Sequence, residues 1–285
     1  MKNYIYIDND ETLIEFRKYL YYNNINNISM DFEGEFNLHA YGAKLCLIQI
    51  FDGEKYFIID PLNITSEEIV KTLSNKKIIK YMYGVESDIN LIYKQYGIKL
   101  DNVYDQKILV DVLEIKPCGL DDIIKKLLNI EIKNKTKYQK YNWLKRPINK
   151  DALEYSLNDV MYLFEINKIL INMILSENKL NYLILKFIKR NNYNFDKERI
   201  PRLFKNTNFK ILTEDKKILV KELFSIREEY AELFNVPANN IIKNDVLFDI
   251  VNNDKKIDEI DYYKMFSKKE RIEIKNKFIK VMKKA

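Results

Sequence analysis

The stretch "SMDFEGEF", residues 29 to 36, constrains this chain more than any other. It sets Asp31 and Glu33 two apart in a run that otherwise reads as a β-strand. Side chains alternate across a strand, so the two acids point one way while Met30 and Phe32 point the other, into a core. Carboxylates side by side repel, and burying them unpaired is costly, so a positive charge is expected nearby. A bound metal ion is one answer and a salt bridge is the other.

The flanking pattern predicts a mixed sheet. A helix is expected near residues 10 to 22, then strands near 27–33, 43–51 and 55–60, with Asp52-Gly53 as the hairpin turn between the last two. Thr65 and Glu68 stand at capping-box spacing where a helix begins. "KKIIKYMYG" then reads as a short strand and "ESDINLIYKQYG" as a helix stopped by Gly97. Helical periodicity runs over 104–114 and 119–129 and returns after Pro147 as one long helix from about 149 to 175. A meander followed by strands alternating with helices predicts an α/β domain, its sheet flanked by helices, over residues 1–176. A helical linker is expected over 177–212, interrupted at Pro201, and a small all-α domain over 213–285. In the latter, Leu219, Leu223, Ile226, Tyr230 and Phe234 fall at helical spacing.

Composition narrows the chemistry. The chain holds a single histidine, His39, which excludes two-histidine zinc sites and leaves carboxylates, tyrosines and lysines to do any work. Its two cysteines, Cys46 in an apolar run and Cys118 before a turn, offer neither a disulfide framework nor a thiolate metal site. No stretch approaches the roughly 20 apolar residues of a membrane span, and "MKNYIYIDNDETL" lacks the form of a signal peptide. A cytoplasmic protein is expected, with no membrane and no obligate protein partner. Lysine and arginine outnumber the acids 48 to 42, and the excess is uneven, since residues 132 to 150 contain no acid. Such a patch attracts polyanions, nucleic acid first among them, although lysine-rich runs are often only solvated surface.

Further acids fit a metal site. Two divalent cations about 4 Å apart repel each other and need several converging carboxylates. Tyr155 and Asp159, four apart in the predicted long helix, share one face, and Asp88 opens a helix directly after a strand. Each feature alone is common by chance, and Asp88 also suits a helix N-terminus through the dipole.

In order along the chain, "DFE", "VESDINLIYKQYGI" and "YSLND", with "LCLIQI" after the first and "NWLKRPI" before the last, resemble the ribonuclease D group. These are DEDD exonucleases of the subtype with tyrosine in the third motif. The resemblance covers about residues 25 to 170 and implies a ribonuclease H-like fold. It assigns Asp31 and Glu33 to the first motif, Asp88 to the second, and Asp159 with its partner Tyr155 to the third. It also implies two divalent metal ions, magnesium or manganese, held by Asp31, Glu33, Asp88 and Asp159. The activity implied is hydrolysis of RNA from its 3′ end, releasing 5′-mononucleotides, with structured precursors such as tRNA as substrates. A relative preferring DNA or short oligonucleotides, and a non-catalytic nucleic-acid-binding scaffold, are the rivals.

On that reading the basic stretch gains a role. Lys133, Lys135, Lys137, Lys140, Lys145 and Arg146 interleave with Tyr138, Tyr141 and Trp143, combining phosphate attraction with stacking surfaces. Lys135, Lys137, Lys140, Tyr141 and Arg146 are the expected nucleic-acid contacts. Trp143 is expected in the core, and a brace within the loop is the alternative for Arg146. Tyr83 stands where the family usually has histidine, and Asp105-Gln106 where it usually has Asp-Thr. Residues 218 to 251 resemble the helicase-and-RNase-D C-terminal (HRDC) domain, which implies an auxiliary nucleic-acid-binding module.

Overall fold

Alternation in the first motif holds in three dimensions, and the rest of the sheet is built around it. The computed structural model describes residues 3–132, 135–191, 200–260, 262 and 266–283. It divides into two compact units, Met1–Glu35 with Ala43–Phe195, and Phe36–Gly42 with Asp196–Ala285.

The first unit begins with β1 (Tyr4–Ile7), α1 (Asp10–Tyr22), β2 (Asn27–Phe36), β3 (Ala43–Phe51) and β4 (Tyr56–Ile59). It continues through α2 (Ser66–Leu73), β5 (Ile79–Met82), α3 (Glu86–Tyr96), β6 (Val103–Asp105), α4 (Lys107–Val112) and α5 (Leu120–Leu128). Then come α6 (Lys135–Tyr138), α7 (Lys150–Ser156), α8 (Asn158–Met161), α9 (Leu163–Ser176) and α10 (Leu180–Asn191). The six strands lie in the order β1-β4-β3-β2-β5-β6. β3 and β4 pair antiparallel as a hairpin, while β1 pairs parallel with β4, and β5 parallel with β2 and β6. This is the ribonuclease H-like mixed sheet flanked by helices that the motifs imply.

Two cores sandwich the sheet. On one face Met30 and Phe32 pack with Leu13, Phe16 and Leu20 of α1 and with residues of α2 and α3. The start of α1 is fixed by Asn9, whose side chain accepts from the Thr12 amide at 2.9 Å. On the other face Cys46, Leu47 and Ile58 meet Trp143, Leu153, Leu157 and Val160, so α7 and α8 cover this side. The β3–β4 turn forms as expected, with Gly53 at φ +107° and Asp52 accepting from the Glu54 and Lys55 amides.

Four local expectations are corrected. α2 starts after Thr65, yet no capping box forms. Glu68 is drawn instead to Arg17 and Lys71, and the Thr65 amide donates to Asp10 at 2.8 Å. Pairing with two cations holds the Glu68 carboxylate away from the N-cap amide, which takes Asp10 instead. The periodic stretch from 104 opens as strand β6, not helix, because Val103–Asp105 extends the sheet beside β5 and α4 begins only at Lys107. The single helix expected over 149–175 is three segments, broken at Leu157 and Tyr162, where ψ lies near zero and the helical ladder loosens. The connection expected over 177–212 is not one piece. α10 packs into the first unit through Leu183 and Phe187, whereas Leu203 and Phe209 enter the core of the second; residues 192–199 lie outside those described.

β6 forms an edge of the sheet, and α10 lies over it. Phe187 stacks on Tyr104 with ring centroids 5.1 Å apart, and Arg190 Nη1 donates to the Val103 carbonyl at 3.2 Å.

The second unit is helical: α11 (Arg202–Lys205), α12 (Thr207–Lys210), α13 (Glu214–Leu233), α14 (Ala238–Ile241), α15 (Asn244–Val251) and α16 (Lys268–Met282). Leu219, Leu223 and Tyr230 bury one stripe of α13 against Leu247, Ile274 and Phe278, with Ile226 and Phe234 at its margin. Ser267 and Glu270 close a capping box at the start of α16. Among the described residues no helix is long and apolar enough to cross a membrane.

Candidate active site

Because Met30 and Phe32 take one face of β2, Asp31 and Glu33 emerge on the face that α7 and α8 cover. Asp159 reaches the same point from α8. Each of the three half-buried acids offers a carboxylate oxygen, and these lie within 4.8 Å of one another. The crowding is electrostatically costly. Burial, then Asp159, Asp88 and Glu33, push the Asp31 carboxyl well above its ordinary range. Burial, Asp159 and Asp88 do the same to Glu33.

Asp88 arrives in the first turn of α3, straight after the left-handed turn at Gly84, φ +68°. Burial and the neighbouring Asp105 raise its carboxyl to about 7. Tyr155, on α7, faces the same acids. Burial, then Asp159, Asp121, Glu33 and Asp31, raise its phenol far above the ordinary value, so it keeps its proton at neutral pH. Its ring packs against Tyr138, centroids 4.8 Å apart. The structure therefore brings Asp31, Glu33, Asp88, Tyr155 and Asp159 to one place from four separate elements.

The donor set suits a hard divalent cation. Oxygens bound to one magnesium at about 2.1 Å lie at most about 4.2 Å apart, so small side-chain rotations would let the three acids share an ion. A cation from solution also relieves the repulsion that raises their pKa values.

The basic stretch divides into two kinds of residue. Arg146 is turned inward: Nη2 donates to Asp60 Oδ1 at 2.7 Å and to the Cys46 carbonyl at 2.8 Å, Nη1 to the Trp143 carbonyl at 2.6 Å, and Nε to Asp60. It braces the loop and is not a free phosphate contact. Tyr141 accepts from the Asn149 amide at 2.9 Å and meets Trp143 edge-on, so it too helps shape the loop. Trp143 is core, 4% exposed. Lys137 is exposed, with Nζ 4.9 Å from the Tyr138 ring centre, and lines a cleft of about 420 Å³ with Tyr155, Asn158 and Tyr162. Lys140 is exposed as well. Lys135 opens α6, and Lys133 lies outside the described residues.

Two further acids act near the site: sequence reasoning met Asp105 only as part of the Asp105-Gln106 step, with no role at the site, and missed Asp121. Asp105, which acts on Asp88, ends a strand that periodicity read as helix. Asp121, which acts on Tyr155, sits in the first turn of α5, where an acid is ordinary.

Comparisons with known proteins agree with this geometry. The family described as 3′-5′ exonuclease matches residues 4–175. Ribonuclease D of Desulfotalea psychrophila is 28% identical over 217 residues, 74% of this chain and 57% of that protein. Human exosome complex component 10 is 30% identical over 141 residues, 48% of this chain and 16% of that protein. The chain thus spans little more than half the length of the first of these and far less of the second. Among solved structures, the catalytic core of RRP6 from Trypanosoma brucei superposes with a TM-score of 0.81 at 18% identity, covering 100% of this chain and 81% of that one. Escherichia coli RNase D gives 0.71 at 22% identity, covering 99% and 75%. With its matched model spanning the whole sheet and all five clustered residues, the chain belongs to the 3′-5′ exonuclease family and is similar to ribonuclease D.

Proposed function

We propose that this protein is a metal-dependent 3′-5′ exoribonuclease of the ribonuclease D type, acting on the 3′ ends of structured RNA such as tRNA precursors. The observation that carries the reading is the convergence of Asp31, Glu33 and Asp159, their oxygens within 4.8 Å, with Asp88 and Tyr155 beside them. Magnesium or manganese ions, when bound, would supply an acidified water and stabilise the leaving 3′-oxygen. A distant structural neighbour, NrnC of Brucella melitensis, has been solved with bound Mg2+.

Each residue has its own task on this reading. Asp31, Glu33 and Asp159 bind the ions, and Asp88 supports the set from α3. Tyr155 retains its proton, so it donates a hydrogen bond that orients the attacking water or a phosphate oxygen and does not act as a base. Lys137, exposed in the cleft, and Lys140, also exposed, attract the RNA backbone. Residues 213–285, with their HRDC resemblance, serve as an auxiliary RNA-binding module.

Digestion of matched 5′-labelled single-stranded RNA and DNA with magnesium, manganese or EDTA tests this. The expected result is a ladder shortening from the 3′ end of RNA, abolished by EDTA and by Asp31→Ala. Equal or better cutting of DNA would overturn the RNA preference. Binding without any ladder would leave only a scaffold.

A further inference from the structure

Two adjacent buried side chains outside the acid cluster reach toward the elements that carry Asp88 and Asp159. Asp105 ends β6 and is 7% exposed, and Gln106, next to it, is fully buried. The Asp105 carboxylate turns back to the β5–α3 connection. Its Oδ1 accepts from the Gly84 amide at 2.7 Å, and its Oδ2 from the Val85 amide at 3.4 Å. α3 has Val85 at its N-cap and no capping side chain of its own, so this acceptor comes from the neighbouring strand. Asp88 lies in the first turn that follows.

Gln106 reaches the opposite way. Its backbone amide donates to the Met82 carbonyl at 2.9 Å, tying it to β5, while Nε2 donates to the Leu163 carbonyl at 2.7 Å. Leu163 opens α9, one turn beyond Asp159. The second of these bonds is fully buried, where a hydrogen bond is electrostatically strong and its loss leaves an unsatisfied group.

We propose that Asp105 and Gln106 are positioning residues that together set the spacing of Asp88 from Asp159; this rests on the reading of the acid cluster as the catalytic centre. The clustered carboxylates repel one another, and that force acts to spread the elements that carry them. A clasp with one arm on the β5–α3 turn and the other on α9 resists the spreading before any cation arrives. Arg190, its Nε 3.9 Å from Asp105 Oδ2, brings a positive charge to the same point of the clasp. Gln106 is suited to its arm by length: the threonine that the ribonuclease D resemblance places at this step is too short to make the same bond.

The test compares full-length wild type with Asp105→Ala, Asp105→Asn and Gln106→Met by hydrogen–deuterium exchange, by Mn2+ binding without RNA, and by steady-state kinetics. In Asp105→Ala the amides of residues 84 to 88 should exchange about tenfold faster or more, with global melting still cooperative. Its kcat should fall about 10- to 100-fold with KM changed less than twofold, the scale seen when a group that orients metal ligands is lost. Asp105→Asn keeps an acceptor and should recover most of both losses. Gln106→Met should lower kcat and weaken Mn2+ binding while leaving exchange at 84 to 88 unchanged. Folded variants with wild-type exchange, Mn2+ affinity and kcat would overturn the proposal. If Asp105→Ala does not fold, Asp105→Asn and Gln106→Met carry the same comparison. An inactive wild type would remove the catalytic reading alone, because the exchange measurement judges the clasp without activity.

Discussion

Asp60 and Asp31 are both acids taken into the first unit, yet their surroundings are opposite. Asp60 has a side chain 3% exposed, and Arg146 and the Tyr6 hydroxyl are both bonded to it. Burial alone would raise its carboxyl, but those hydrogen bonds outweigh burial and hold it below the ordinary value. The largest charge effects on Asp31 come from other carboxylates, and its carboxyl is driven well up. A structural acid carries its counter-ion in the chain. On the function proposed above, the cluster around Asp31 is completed by cations from solution.

Neutralising these two acids in turn should therefore have opposite consequences. Asp31→Asn should raise the melting temperature of the metal-free protein while lowering kcat about a thousandfold, the scale of losing a main electrostatic element of catalysis. Asp60→Asn should lower the melting temperature and leave the metal requirement intact. Calorimetry and a 3′-end assay on the same samples decide, and a destabilised Asp31→Asn would break the comparison. Arg146→Ala, which leaves Asp60 buried without its partner, should destabilise by about 3–5 kcal/mol in chemical denaturation. RNA affinity of the folded fraction should barely change.

Tyr155→Phe removes a proton donor without changing shape, and should lower kcat about 10- to 100-fold with Mn2+ affinity retained. The pH dependence sharpens the same contrast. Asp31, Glu33 and Asp88 hold protons in the folded chain at pH values where the unfolded chain has released them, with Asp88 at about 7. Metal-free stability should then decline as pH rises from about 4 through neutrality, because the folded state binds more protons in that window. Added magnesium should stabilise more at pH 8 than at pH 5, and a thermal melt series that is flat with pH would contradict it. The smallest effect belongs to the exposed lysines. Lys137→Ala and Lys140→Ala should each raise KM only a few-fold and reduce the salt dependence of RNA binding by about one ion.

The parts legible in the sequence were those written in local periodicity. Alternation through "SMDFEGEF" placed Met30 and Phe32 in the core and the acids opposite them, and Gly97 stopped α3 in a left-handed cap. The turn at Asp52-Gly53 was likewise visible because its chemistry is local. β1 and β6, only four and three residues long, were not read as strands; they are held by pairing with β4 and β5, partners distant in sequence. Lys80 is a sharper case. Any reading by polarity would send it to solvent, yet it is 1% exposed, with Nζ donating to the carbonyls of Asn75 and Asp101 at 2.8 and 3.0 Å. Those acceptors are made by turns the sequence does not announce, and burial lowers its pKa to about 8. Arg146 was legible as a choice between two roles, and only its distance from Asp60, 86 residues away, decides between them.

The placement of α10 over β6 has a consequence for anyone shortening this protein. A chain ended at residue 176, the boundary the helical pattern suggests, would lose Phe187 from Tyr104 and Arg190 from the Val103 carbonyl. An uncovered outer strand is a template for another copy of itself, so such a fragment would self-associate strand to strand and precipitate while every acid of the site remained in place. Ending the chain beyond α10 keeps the sheet terminated. Solubility of the catalytic half is thus decided by a helix that carries none of its clustered acids.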